Sequence, residues 1–183
     1  MRIIGVAIDV PEPWGSFLNR CRAATGDPQA EYVPTHLTLL PPTEVGTGAD
    51  ETVLAHLDRV ATAHPPISLL LRGTGTFRPV TEVVFVTVAA GISACERLAA
   101  DVRSGPLARD TTYPYHPHVT VAQDVPGDAL DAVFADLAGF EAAFEAASFR
   151  LFTHNGDRRW RPWRDFTLTG ERDEAPAVTR AGE

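Results

Sequence analysis

Pro34-Thr35-His36-Leu37-Thr38-Leu39-Leu40-Pro41-Pro42 and His116-Pro117-His118-Val119-Thr120-Val121 are two versions of one short pattern, H-x-T followed by an apolar residue. In an extended strand, residues i and i+2 share a face. His36 therefore stands beside Thr38, and His118 beside Thr120, while Leu37, Leu39, Val119 and Val121 turn to the other side and into a core. Proline precedes each motif closely, and Pro41-Pro42 follows the first, which bounds both as short strands. A single H-x-T would carry little information. Two copies, each on a short strand behind a proline, predict two similar lobes that each contribute one histidine and one hydroxyl to a shared cleft.

The chain around the motifs supports such a duplication. Ile3 to Ile8 is β-branched and alternating, a strand, and Pro11-Glu12-Pro13 opens a helix that runs to about Thr25. A helix over about Asp50 to Ala63 carries Val53, Leu54, Leu57 and Val60 at helical spacing, and Pro65-Pro66 stops it. Strands over Ile67 to Leu71 and Glu82 to Val88 follow, joined through Gly73-Thr74-Gly75-Thr76-Phe77, then a helix over Ile92 to Leu107. After the second motif come a helix near Asp128 to Leu137 and two long strands near Glu145 to Thr153 and Trp160 to Thr169. Asn155-Gly156 between them signals a hairpin. Mixed elements without strict β-α-β alternation indicate an α+β fold: bilobal, with two pseudo-symmetric antiparallel-sheet lobes, flanking helices and a central cleft. Residues 1–170 form one domain in this reading, and 171–183 a mobile polar tail.

Composition narrows the chemistry. With 183 residues and 44% hydrophobic content the chain can bury a sizeable core. A net charge of −8 argues against a protein that coats DNA duplex, although a small phosphorylated ligand in a local pocket is compatible with it. All 16 basic residues are arginine, so lysine Schiff-base chemistry is excluded and arginine is the permanent cation available to a phosphate. Cys21 and Cys95 fall in helix-like stretches, in no C-x-x-C pair, and read as small buried hydrophobes. No apolar run is long enough to span a membrane, and the first residues read as a strand, so a soluble cytoplasmic protein is expected, with a monomer as the default.

Two histidines and two threonines suit phosphoryl chemistry. An unperturbed imidazole titrates near neutrality, so one ring can accept a proton from an attacking hydroxyl while the other protonates a leaving oxygen. Threonine hydroxyls can donate to non-bridging oxygens without adding charge. No cofactor or metal is required. His116 and His118 could share a zinc ion, but no third ligand lies nearby in sequence. His56 and His64 read as exposed or helix-terminal bystanders and His154 as a turn residue. Arg158, Arg159, Arg161 and Arg164, interleaved with Trp160 and Trp163, could hold a nucleic-acid backbone, and a solvated hairpin face explains them equally well.

On His36, Thr38, His118 and Thr120 the chain resembles the two-histidine phosphoesterase superfamily, in the branch of the bacterial 2′-5′ RNA ligase-like proteins and RNA 2′,3′-cyclic phosphodiesterases. The resemblance covers about residues 1–170. It implies hydrolysis of a 2′,3′-cyclic phosphate, on an RNA end or a small nucleotide, with His118 as base and His36 as acid. It also implies a position near the cleft for Phe77, which could stack on a base, and Tyr115 could do the same. Many relatives carry arginine just after the second motif, where this chain has Ala122-Gln123. Two other readings use the same residues: 2′-5′ RNA ligation, and a non-catalytic module that binds phosphorylated nucleotides or RNA ends.

Overall fold

A computed structural model describes residues 2–46, 48–110, 112–157 and 159–172. Its strands run in the order β1 (Arg2–Asp9), β2 (His36–Val45), β3 (Ile67–Thr76), β4 (Val83–Ala90), β5 (His118–Gln123), β6 (Glu141–Ala146), β7 (Ser148–His154) and β8 (Arg161–Thr167). Four α-helices lie among them: α1 (Trp14–Ala24), α2 (Asp50–Ala63), α3 (Ile92–Val102) and α4 (Gly127–Asp136). The helices carry one apolar face each. In α3, Cys95, Leu98, Ala99 and Val102 are buried at i, i+3, i+4 and i+7. In α2, Asp50 and Glu51 place negative charge in the first turn, where the helix dipole favours it.

All eight strands join one antiparallel sheet, ordered β6-β3-β4-β5-β2-β1-β7-β8. The bilobal reading holds, with the seam between β5 and β2. Outward from it, β2-β1-β7-β8 forms one half and β5-β4-β3-β6 the other. The segment β1-α1-β2-α2 is echoed by β4-α3-β5-α4. Among the described residues the halves share one ladder pair, Leu37 with Val119. The helices strengthen this junction by crossing it, since α1 packs on β5 and α3 on β2. Leu37, Leu39, Val119 and Val121, each at most 2% exposed, form the floor under the seam as their alternation predicts.

The structure corrects several boundaries. β2 continues through Pro41-Pro42 to Val45 instead of ending before them. Leu40 pairs with Val6 and Thr43 with Ile4, so the two prolines bulge opposite Gly5, where no ladder donor is needed from them. The long strand expected near Glu145 to Thr153 is two strands that part at Ala147: β6 pairs with β3 in one half, and β7 returns to β1 in the other. β3 runs on past Leu71 to Thr76 through a bulge at Gly73, whose φ of 65° suits glycine. β7 and β8 are joined by residues 155–160, a longer connection than a two-residue hairpin. Of the polar tail, residues 173–183 lie outside the described part. Among the described residues no helix is long and apolar enough to cross a membrane.

Candidate active site

A cavity of about 870 Å³ opens over the seam, and His36, Thr38, His118 and Thr120 all line it. Leu37 facing Val119 on antiparallel strands sets His36 across from Thr120 and Thr38 across from His118. The four side chains thus form a parallelogram with the histidines on one diagonal. Direct cross-strand neighbours have Cβ atoms about 5 Å apart and diagonal ones roughly 7–8 Å, so space remains between the imidazoles for a small tetrahedral group.

Both rings are held by the same device. His36 Nδ1 lies 2.7 Å from the Pro34 carbonyl, and His118 Nδ1 lies 2.7 Å from the His116 carbonyl. A carbonyl only accepts, so each Nδ1 carries the proton and each Nε2 is left with a lone pair in the neutral form. His36 Nε2 is 3.1 Å from Thr38 Oγ1, within its own half of the site. The turn that presents the Pro34 carbonyl is fixed from α1: Asn19 Oδ1 accepts from the buried Thr35 N–H at 2.7 Å.

Burial of the imidazoles lowers both pKa values below the ordinary 6.5, and in each case the Nδ1–H bond to the carbonyl opposes the shift. The surroundings then differ. Beside His36, Arg22 opposes the charged form more than Asp9, its ladder partner, favours it, and Arg150 holds the Asp9 carboxylate at 2.6 Å. His118 instead meets the rings of Phe77, Phe85 and His116, at centroid distances of 4.9, 5.2 and 6.1 Å, and His116 and His36 both oppose its protonation.

Phe77 lines the cavity with its ring edge-on to His118, and its other contacts, to Phe85 and His116, make it part of the wall. Tyr115 also lines the cavity; its hydroxyl donates to the Thr38 carbonyl at 3.0 Å and Arg103 covers one ring face at 4.7 Å. It links the segment before β5 to β2 across the seam. Arg159 lies over the ring of Tyr32 and is absent from the cavity wall, while Arg158 falls outside the described residues. Arg161 and Arg164 pair with Asp157 and Asp58, so much of the hairpin's charge is met within the protein.

His56 corrects its sequence reading: it is 6% exposed, and its Nε2 lies 3.2 Å from the Val102 carbonyl, which ties α2 to α3. His64 reaches Asp101 at 2.7 Å. Cys95 is fully buried and Cys21 partly so. Among the described residues no group of three or more His, Cys, Asp or Glu side chains gathers as a metal site. The sequence reading did not place Arg103, Arg109, Gln123 or Trp160 in the cavity, where all four are found. Trp160 was marked in sequence only through its arginine neighbours, and no local pattern marks Arg103, Arg109 or Gln123.

Comparison with known proteins places the fold and the family. A Geobacillus kaustophilus protein whose name places it among the phosphoesterases is 25% identical over 169 residues, covering 91% of this chain and 96% of its own. A Bacillus licheniformis protein similarly named is 29% identical over 144 residues, 78% of this chain and 85% of its own. Among solved structures, E. coli LigT complexed with 3′-AMP matches with a TM-score of 0.70 and 25% identity over 92% of this chain and 98% of LigT. LigT has also been solved with NADP+, ATP and phosphate. TT0787 of Thermus thermophilus matches with a TM-score of 0.63 and 25% identity over 94% of this chain and all of its own. The family model of the 2'-5' RNA ligase superfamily matches residues 10–158, a span that contains both H-x-T strands and the seam between them, and the chain belongs to that superfamily.

Proposed function

We propose that the protein is a metal-independent phosphodiesterase that hydrolyses a 2′,3′-cyclic phosphate on a ribonucleotide or RNA end. The observation that carries this reading is the matched pair of Nε2 atoms, one from each half, turned to the cavity by Nδ1–H bonds to the carbonyl two residues back. His36, which has the Asp9 carboxylate as a neighbour, is assigned as the acid, and His118, whose charged neighbours are the imidazoles of His116 and His36, as the base. Water attacks phosphorus and gives a proton to His118 Nε2. One ring P–O bond breaks, and its oxygen takes a proton from His36 Nε2. Thr38 and Thr120 donate to the non-bridging oxygens as charge builds on them. The product is a nucleotide monophosphate ester, and the two rings have exchanged protonation states.

The name of the superfamily supports a second reading, in which the same groups open the cyclic phosphate with an RNA 5′-hydroxyl as the nucleophile in place of water. Ligation must hold two RNA ends, and a chain of net charge −8 is poorly suited to that. Hydrolysis of a short RNA ending in a 2′,3′-cyclic phosphate, with EDTA present, tests the proposal. Wild-type turnover should fall by roughly 10²-fold or more in both His36→Ala and His118→Ala, the worth of a positioned acid or base. Turnover indifferent to either change, or absent in the wild type, refutes it and favours a binding module.

A further inference from the structure

Among the described residues three arginines line the cavity, and they are not equivalent. Arg22 is buried and its Nε lies 2.7 Å from the Asp27 carboxylate, so its charge is met inside the protein. Arg103 and Arg109 have no carboxylate within ion-pair distance among the described residues. Arg103 donates from Nε to the Leu39 carbonyl at 2.5 Å and lies over the Tyr115 ring. Arg109 donates from Nη1 to the Pro42 carbonyl at 3.1 Å and to Thr43 Oγ1. These acceptors are neutral. They fix where each guanidinium sits and leave both Nη atoms of Arg103, and Nε and Nη2 of Arg109, without a protein acceptor in the described part.

A shortage of acids does not explain this, because the chain has 24 acidic residues against 16 arginines. Arg72, Arg78, Arg150, Arg161, Arg164 and Arg172 each take a carboxylate on the surface. Arg103 is half-buried, where an unmet charge is costly, and burial accordingly pulls its pKa down. The anchors are also ordered. Both are on β2, with Leu39 and Pro42 one and four residues beyond Thr38, so at about 3.3 Å per residue they lie within roughly 13 Å of the phosphate-facing threonine. Asp110 lines the same wall without pairing to either arginine, and it sets the opposing charge.

We propose that Arg103 and Arg109 form a second anion subsite, which holds a phosphate on the 5′ side of the ribose whose 2′,3′-phosphate sits between His36 and His118. The assignment rests on the phosphodiesterase reading, since a ribose esterified at O2′ and O3′ carries its remaining phosphate at O5′. Substrates with that group are 5′-phosphorylated nucleotides and RNA ends, and an unphosphorylated nucleoside cyclic phosphate is the poorer one.

Calorimetric binding of adenosine 2′,5′-bisphosphate and adenosine 2′-monophosphate tests this apart from turnover. Wild type should bind the bisphosphate about tenfold or more tightly, as expected for charge-assisted hydrogen bonds, with the advantage shrinking as salt rises. Arg109→Gln should reduce that ratio severalfold and Arg109→Lys less, because the lysine restores charge without the fork. Arg109 is exposed, so its variants serve even if Arg103→Gln does not fold. Asp110→Asn should raise the ratio. Equal affinity for the two ligands, no binding of either, or a preference that survives Arg103→Gln/Arg109→Gln overturns the subsite. The cyclic-phosphate assay scores the other reading separately: preference without turnover removes the phosphodiesterase and keeps the subsite, and turnover without preference does the reverse. A dinucleotide ending in a cyclic phosphate, compared with 5′-phosphoadenosine 2′,3′-cyclic phosphate, then tells whether an RNA linkage or a terminal 5′-phosphate fills the site.

Discussion

Tyr115→Phe removes one oxygen and leaves the ring under Arg103, which makes it a clean probe of the seam. The hydroxyl donates to the Thr38 carbonyl at 3.0 Å from the opposite half of the sheet. Burial keeps the phenol's pKa far above the assay range, so the group is a donor at every working pH. A net hydrogen bond of this kind contributes about 1 kcal/mol. For a chain of this size that corresponds to a fall in Tm of roughly 2–4 °C. The functional loss should be larger. Thr38 stands across from His118, and about 1 Å of slack between reacting groups can cost roughly 10²-fold. Thermal unfolding followed by circular dichroism, and kcat/KM on a 2′,3′-cyclic nucleotide, separate the two effects. A variant that melts 2–4 °C lower, as estimated above, yet keeps wild-type kcat/KM would refute the idea that this contact sets the distance between the halves.

The remaining predictions concern the histidines and the wall behind them. With both imidazole pKa values lowered, the base limb and the acid limb of kcat/KM both lie below the ordinary value, so the maximum of the bell should fall on the acid side of 6.5. Asp9→Asn removes the carboxylate that favours protonated His36, so the alkaline limb should move to lower pH while the acidic limb stays; movement of the acidic limb alone would reverse the two roles. Gly75→Ala would place a Cβ 2.5 Å from Phe85 Cε2, and Phe85 touches both Phe77 and His118. Overpacking of this kind costs about 1–3 kcal/mol, and here it should lower kcat as well, read from activity and a melting curve. Normal kcat in a destabilised Gly75→Ala would separate the aromatic wall from the chemistry.

What could be read in the sequence follows from the range of each signal. The two H-x-T strands, their core-facing partners and α2 were legible because alternation and helical spacing act over a few residues. The parting of β6 from β7 was not. Glu141-Ala142-Ala143-Phe144 is poor in β-branched residues, and only pairing with β3, some seventy residues earlier in the chain, makes it a strand. Pro41-Pro42 looked like a stop because the bulge that accommodates it depends on Gly5 in another strand. His56 looked solvated because helical phase alone does not reveal that Val102 of α3 lies over it. Arg103 and Arg109 were hidden for the same reason, since what marks them is a place on the cavity wall together with the lack of a carboxylate partner among the described residues.

The path of the chain through the sheet has a consequence for synthesis. The half that holds His36 is built from both ends of the sequence: β1 and β2 come early, and β7 and β8 close it at residues 148–167. The half that holds His118 is complete once β6 has emerged. A ribosome therefore releases the second half's parts as one contiguous block, while β1 waits with an open edge until β7 arrives. Contacts of such long sequence separation are slow to form, and an unpaired edge is the hazard during the wait. A chain cut after Ala147 keeps both histidines and both threonines, yet leaves the His36 half as two strands with one flank bare.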